Sequence, residues 1–223
     1  WNIYMYWQEE TNEEQTVIPE DVVDLLFQLD CRTLPVDHAW ALHEGVSRVL
    51  PWFASEPMAG LHLIHGADSG NGWERPQASG DLLYLSRRTR LILRLPDHRL
   101  EQAGALSGTY LNIAGNRMDI GRAKPRPLSL TTILYSRYVV AEGEQGEDEF
   151  ITWAVEQLRG LGLRFKKVLC GKQSAFHMPK GPITTRSLMV ADLPYEDALE
   201  LQKQGIGPMR QMGFGLFIPQ KSF

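Results

Sequence analysis

One order of predicted secondary structure occurs twice along the chain, and this repeat limits the fold more than any other feature. Apolar residues at alternating positions predict strands, and apolar residues at a spacing of three or four predict helices. In the first half these patterns predict a strand, a helix, two strands, a helix and a hairpin, at residues 21–29, 38–50, 61–65, 82–95, 98–106 and 110–120. This β-α-β-β-α-β order is typical of a ferredoxin-like domain, with its helices on one face of a sheet.

The second half repeats this order. Strand, helix, two strands, helix and strand are predicted at residues 133–141, 147–161, 165–169, 183–190, 195–204 and 214–219. Between the halves, the sequence Lys-Pro-Arg-Pro at residues 124–127 predicts a linker, because proline interrupts regular structure. We therefore predict an α+β fold of two tandem ferredoxin-like (RRM-like) domains, at residues 20–123 and 128–223, after an acidic N-terminal extension at residues 1–19.

Charge is distributed unevenly along the chain. The 223 residues have a net charge of −4, but residues 1–30 hold eight of the 27 acidic residues and no Lys or Arg. The rest of the chain therefore has 19 acidic residues against 23 basic ones, and no acidic residue lies between Gln157 and Ala191. Basic residues clustered in this way are typical of a site for a polyanion such as a nucleic acid.

Several other kinds of site find little support. The two cysteines, Cys31 and Cys170, lie far apart and predict neither a disulfide framework nor a zinc site, so a cytoplasmic location follows as the default. No apolar run approaches the roughly 20 residues needed to cross a bilayer, and no membrane partner is predicted. His62 and His65 point to opposite faces of a strand, and no acid, His or Cys group has ligand spacing, so no metal site is predicted.

A glycine motif stands near the C terminus. Gly205-Ile206-Gly207 is followed, five residues later, by Gly213-Phe214-Gly215, with Arg210 between the two pairs. Glycines allow left-handed backbone conformations and the close approach of another group to the main chain. With a central cation, such a loop is a reasonable cradle for a phosphate-rich ligand, although it matches neither the Walker pattern nor the dinucleotide fingerprint.

This motif, at its place near the C terminus, resembles the signature of the repeat-associated mysterious protein (RAMP) superfamily of CRISPR systems. Over residues 20–220 the chain resembles one branch of that superfamily, the repeat-processing endoribonucleases of the Cas6 family. The sequence Leu-Pro-Val-Asp-His at residues 34–38, which opens the first helix, and residues 212–219 also look like that family. The resemblance implies an enzyme that binds CRISPR repeat RNA and cleaves precursor transcripts once per repeat.

The resemblance also implies a mechanism. A ribose 2′-hydroxyl attacks the neighbouring phosphate without a metal ion or other cofactor, and the enzyme often stays on its product as a subunit of the RNA-guided surveillance complex. Such a reaction needs a base for the 2′-hydroxyl, an acid for the leaving 5′-oxygen and cations near the phosphate.

The family places a histidine on or near the first helix, and this chain offers His43 and His38 there. Five residues on a helix separate them by about 140°, so they do not share a face. His38 is close to the apolar stripe, where a structural histidine bonded to the adjacent chain is an open alternative. His43 lies beside the stripe and is predicted to be nearer solvent. We expect His43 to be the base, with His38 as its rival.

Candidate RNA contacts come from the glycine motif and from the acid-free stretch. They are Gly205, Gly207, Arg210, Gly213, Gly215, Lys166, Lys167, Lys172 and Arg186. Phe176, within the same basic stretch, either stacks on a base or belongs to the core.

Two other functions remain open. One is a non-catalytic RNA-binding subunit of a CRISPR effector complex, with the same fold and glycine loop. The other is a ferredoxin-like regulatory module that binds a small anion, which leaves the spread of basic residues unexplained.

Overall fold

The computed structural model describes residues 17–66, 75–76, 80–141 and 146–220. Most of the predicted acidic extension, residues 1–16, lies outside these ranges. Within them, strands and α-helices follow one another in this order: β1 Val22–Asp30, β2 Thr33–Pro35, α1 Ala39–Val49, β3 Gly60–His62, β4 Leu82–Tyr84, β5 Arg90–Pro96, α2 Leu100–Ala103, β6 Tyr110–Ile113, β7 Asn116–Pro127, β8 Ile133–Val140, α3 Glu147–Gly160, β9 Lys167–Met178, β10 Gly181–Ala191, α4 Tyr195–Gln204 and β11 Ile218–Pro219.

Two antiparallel sheets form the framework. The first has the strand order β3-β5-β1-β7-β6 and the second has the order β11-β8-β10-β9, while β2 and β4 form a separate pair. The predicted mixed α/β fold is therefore confirmed. In the described ranges, no helix combines the length and the apolar character needed to span a bilayer.

Each sheet buries one face against helices. On the first sheet, alternate residues such as Leu25 and Phe27 of β1 pack against Leu42 and Val46 of α1, and all four are buried. Leu188 of β10 belongs to the second core, which also receives apolar side chains from α3 and α4. The alternation within strands and the 3–4 spacing within helices that the sequence displays are the patterns these two cores require.

The predicted linker at residues 124–127 is wrong, because these residues are the last four of β7. They pair with β1, with Pro125 opposite Leu25 and Pro127 opposite Val23. Proline is tolerated there because β6 pairs with β7 only as far as Asp119, so the other edge of the strand is open. Residues at alternate positions of a strand direct their N–H groups to the same edge, so the two prolines, which have no N–H, lack a donor on one edge only.

Two predicted strands also differ from the structure. The strand predicted at 165–169 is the 12-residue β9, which pairs with β10 from Lys167 to Met178 and includes polar residues that periodicity did not mark. The strand predicted at 214–219 is reduced to Ile218–Pro219, because the preceding glycines take part in a tight loop. By contrast, α4 has the predicted bounds.

A buried arginine of the first sheet, paired with an aspartate of the same sheet, also binds the second half of the chain. Arg94 of β5 is 1% exposed, and its guanidinium donates two hydrogen bonds to the carboxylate of Asp24 in β1, at 2.8 and 3.1 Å. The Nη1 atom of Arg94 donates to the main-chain carbonyls of Gln202, at the end of α4, and Phe217, before β11, at 2.9 and 2.7 Å. Burial on its own would raise the pKa of Asp24, but the charges of Arg94 and His62 and their hydrogen bonds hold that pKa well below its ordinary value.

Replacement of Arg94 should therefore destabilise the fold strongly. In Arg94→Ala, the buried Asp24 carboxylate loses its main partner and two carbonyls lose their donor, so we expect a loss of about 3–5 kcal/mol in the free energy of unfolding. The control is Arg126→Ala, because Arg126 also reaches Asp24, at 3.2 Å, but its side chain is 52% exposed. This control should lose about 1 kcal/mol or less. Equal losses for the two variants in urea denaturation would contradict the assignment.

Candidate active site

His43 lies on α1 beneath a short turn from the glycine loop. The centroid of its ring lies 5.6 Å from the ring centroid of Trp40 and 6.4 Å from that of Phe53. The residue is 7% exposed against 2% for His38, so it lies nearer solvent than its rival, although both are buried. Its Nδ1 atom is 3.0 Å from the main-chain carbonyl oxygen of Gln211, in the 3-10 turn Arg210–Met212. The glycine loop therefore contacts the predicted base through its backbone.

This contact assigns the tautomer of His43. A carbonyl oxygen only accepts hydrogen bonds, so Nδ1 carries the hydrogen of the neutral ring. The lone pair is then on Nε2, because which ring nitrogen is protonated depends on the hydrogen bond made by the other. A neutral imidazole with its lone pair on Nε2 is able to accept a proton through that atom.

His38 differs from His43 in having both ring nitrogens bonded to the backbone. Nδ1 donates to the carbonyl of Pro35 at 2.8 Å, and Nε2 accepts from the N–H of Ile64 at 3.1 Å. The residue is 2% exposed. Burial lowers the pKa of His38 to about 4, although the hydrogen bonds to the backbone oppose that shift. His38 therefore connects the start of α1 to the segment after β3 as a neutral residue, which is the structural alternative left open by the sequence.

All four glycines of the motif have positive φ, and each approaches another part of the protein. A Cβ atom on Gly205 or Gly215 would strike a main-chain carbonyl of the other arm of the loop, and one on Gly207 would strike the carbonyl of Val140. A Cβ on Gly213 would strike the side chain of Leu63. The close approach predicted for these glycines is therefore made by the protein's own chain, and their contact with RNA stays a prediction.

Arg210 anchors the same loop. Its guanidinium donates to the main-chain carbonyls of Ala59, Gln204 and Met58, at 3.1, 2.6 and 3.1 Å. Burial, followed by the nearby charge of Arg94, lowers the pKa of Arg210 to about 10. Its nitrogens thus hold the turn against the segment before β3, and a contact with RNA phosphate remains a prediction.

The β9–β10 hairpin and the residue before it carry basic residues on the surface. Lys166, Lys167 and Lys172 are exposed, and Arg186 is half-buried. Phe176 is 1% exposed and packs at 4.9 Å from Tyr138, measured between ring centroids, so the core alternative for this residue is correct. The same core cluster includes Ala39, the first residue of α1.

A contact between His177 and Asp37 connects this hairpin to the segment that precedes α1. The Oδ2 atom of Asp37 accepts from the backbone N–H of His177 at 2.9 Å and lies 2.7 Å from its Nδ1. The N-cap of α1 is His38, and the carboxylate of Asp37, one residue earlier, binds the hairpin. The hairpin, α1 and the 3-10 turn thus meet at one region.

The comparisons with known proteins assign this arrangement to a family. A family model described as Cas6 Crispr matches residues 23–222. The chain belongs to the Cas6 family. This confirms the resemblance drawn from the glycine motif.

Relatives and solved structures agree with the family. The CRISPR-associated endonuclease Cas6 of Myxococcus xanthus (strain DK1622) is 29% identical over 197 residues, which cover 88% of this chain and 81% of the relative. A structure named CRISPR associated protein Cas6 is 12% identical with a TM-score of 0.61, and the match covers 90% of this chain and 100% of that one. A structure named Thermus thermophilus Cse3 bound to an RNA representing a pre-cleavage complex is 15% identical with a TM-score of 0.51, covering 88% and 98%.

The main feature of this Cas6-family site that sequence reasoning missed is the Gln211 carbonyl. Gln211 lies between the glycine pairs, but main-chain carbonyls are present at every position and leave no mark in residue types. The Asp37–His177 pair was missed for another reason, since its members are 140 residues apart. Among the described residues, no group of three or more His, Cys, Asp or Glu side chains is arranged to hold a metal ion.

The pKa of His38 makes stability depend on pH. Histidine in an unfolded chain has a pKa of about 6.5, so as the pH falls the unfolded state takes up a proton before the folded state does. The stability contributed by neutral His38 is complete above about pH 6.5 and is lost as the pH approaches about 4, a change of about 3 kcal/mol.

The check is chemical denaturation at several pH values. His38→Gln keeps an amide able to donate to Pro35 and to accept from Ile64, but it does not titrate. We expect its free energy of unfolding to fall less than that of the wild type over this pH range. Identical pH dependence in the two proteins would contradict the account.

Proposed function

We propose that this chain is an endoribonuclease that binds CRISPR repeat RNA and cleaves precursor transcripts into guide RNA without a metal ion. The observation that carries the proposal is the tautomer of His43, whose Nε2 lone pair is available while Nδ1 is bonded to the Gln211 carbonyl. Two comparisons support it: the Myxococcus relative is named an endonuclease, and the Thermus thermophilus structure is named as bound to a pre-cleavage RNA.

In the proposed reaction, Nε2 of His43 removes the proton of a ribose 2′-hydroxyl. The oxygen forms a bond to the adjacent phosphorus, and the bond from phosphorus to the 5′-oxygen breaks. A cyclic phosphate remains on one fragment, and the other leaves as a 5′-hydroxyl after its oxygen takes up a proton. Cations near the phosphate stabilise the charge that develops on its oxygens.

We assign the contacts with the RNA backbone to exposed cations of the hairpin and to the outer side of the glycine loop. Lys166, Lys167 and Lys172 are the exposed candidates, with Arg186 beside them. In the loop, Gly207 is exposed, while Arg210 and the other three glycines act by holding the turn next to His43. After cleavage we propose that the protein keeps its RNA as a subunit of the effector complex.

We further propose that the fold comprises two ferredoxin-like domains. In each half the strands have the order expected for a β-α-β-β-α-β unit, with the first strand between the third and the fourth: β5-β1-β7 in one sheet and β11-β8-β10 in the other. Because β7 extends to Pro127, the first domain is residues 20–127 instead of 20–123, and the second is 128–223.

Cleavage of labelled CRISPR repeat RNA in EDTA tests the proposal. His43→Ala should lower the cleavage rate by about 10²- to 10⁴-fold, because a positioned base is removed, and should leave RNA affinity unchanged. The matched control is His98→Ala, since the exposed His98 contacts only carboxylates in the described residues.

Each other outcome points to a different function. Tight binding without cleavage by the wild type would indicate the non-catalytic subunit. Binding of a small anion without RNA binding would indicate the regulatory module, and cleavage that disappears in EDTA would contradict a metal-independent reaction.

The proposed RNA contacts should also appear in the salt dependence of binding. Replacement of Lys166, Lys167 and Lys172 by Ala should weaken binding of all RNA sequences alike. It should also reduce the slope of log affinity against log salt by about 0.7 for each lost phosphate contact with a single strand.

Arg164→Ala is the control for this measurement. Arg164 is 63% exposed and lies on the same acid-free stretch, and its guanidinium is paired closely with Glu196 and Asp197, at 2.6 and 2.9 Å, whereas Lys167 is 3.8 Å from Asp192. An equal effect of Arg164→Ala and of the triple lysine variant would refute the assignment.

A further inference from the structure

His43 depends on an external group for its tautomer. The neutral histidine side chain in water favours the form with hydrogen on Nε2, which leaves the lone pair on Nδ1. In His43 that form would place a hydrogen on Nε2, the atom proposed to take the proton, and Nε2 would then have no free lone pair. The carbonyl of Gln211, 3.0 Å from Nδ1, reverses the preference because it accepts a hydrogen bond only from a protonated Nδ1.

The turn that carries this carbonyl is held by side chains from the turn itself. The Nε2 atom of Gln211 donates to the carbonyl of Glu56 at 2.9 Å, next to the two carbonyls bound by Arg210. The backbone enters the turn through Met209 at φ +69° and leaves it through Gly213 at φ +102°, so both ends are left-handed. Two adjacent side chains therefore fasten the turn to residues 56–59, and its main chain faces α1.

We propose that Gln211 is a positioning residue for the base: its side chain holds the turn so that its main-chain carbonyl keeps Nε2 of His43 unprotonated. The inference rests on the proposed function, since it assigns a purpose to the tautomer of His43. In this proposal Gln211 affects the reaction through the tautomer of His43 and does not itself contact the RNA.

The test replaces the amide without altering charge or length. In Gln211→Met the bond to Glu56 is lost, the turn is less firmly held, and the ring of His43 should populate both tautomers. We expect kcat to fall about tenfold, the effect of losing one hydrogen bond, while KM stays within about twofold of the wild type. The matched control is Gln204→Met, because the exposed Gln204 side chain contacts only Glu200 in the described residues.

The tautomer itself is measured by two-bond hydrogen–nitrogen NMR spectra of protein labelled with ¹⁵N-histidine, at a pH where the ring is neutral. The signals of His43 are identified by their loss in His43→Ala. Wild type and Gln204→Met should show hydrogen on Nδ1, and Gln211→Met should show a mixture. A wild-type spectrum and wild-type kcat in Gln211→Met would overturn the inference.

The two proposals fail in different ways. If His43→Ala cleaves RNA as well as the wild type does, the proposed function of His43 is wrong, whatever the spectra show. If His43→Ala is inactive but Gln211→Met is normal in both measurements, only the role of Gln211 is wrong. Should Gln211→Met fail to fold, Gln211→Glu applies the same test, because an ionised carboxylate of the same length cannot donate to the Glu56 carbonyl and should also produce mixed tautomers.

Discussion

The contact between Arg94 and the second half of the chain determines where the candidate site can form. One nitrogen of this arginine binds the carbonyls of Gln202 and Phe217, which stand three residues before Gly205 and two residues after Gly215. The ends of the loop are thereby fixed to β5 of the first sheet. Arg210 then fixes the middle of the loop to the segment before β3, and the Gln211 carbonyl contacts His43 of α1.

A buried arginine is costly unless its charge is compensated, and here the compensation explains the geometry. Asp24 accepts from two nitrogens of Arg94 and two main-chain carbonyls accept from the third, so four of the five N–H donors of the guanidinium are used. A pair of apolar side chains of similar volume could pack as well, but it would not select one position for the loop. We infer that the ion pair serves the placement of the loop more than the stability of the fold.

Sequence patterns predicted the elements that pack by periodicity, and they failed where local context decides. The apolar stripe of α1 and the bounds of α4 follow from residue types, because an apolar face must be buried. Residues 124–127 were misread as a linker, because prolines on an open strand edge have the same composition as a linker. The choice between His43 and His38 could not be made from the sequence either, since it depends on which ring nitrogens meet backbone groups from residues far along the chain.

The glycine motif identified the family correctly, although the physical reason differs from a phosphate cradle. Its glycines are required because the two arms of the loop, the end of β8 and Leu63 leave no room for a Cβ atom. Such packing constrains residue type strictly at these four positions of the chain. The same packing brings the Gln211 carbonyl to Nδ1 of His43. A motif that is conspicuous for its packing therefore connects to the proposed base through a backbone atom that no residue pattern reveals.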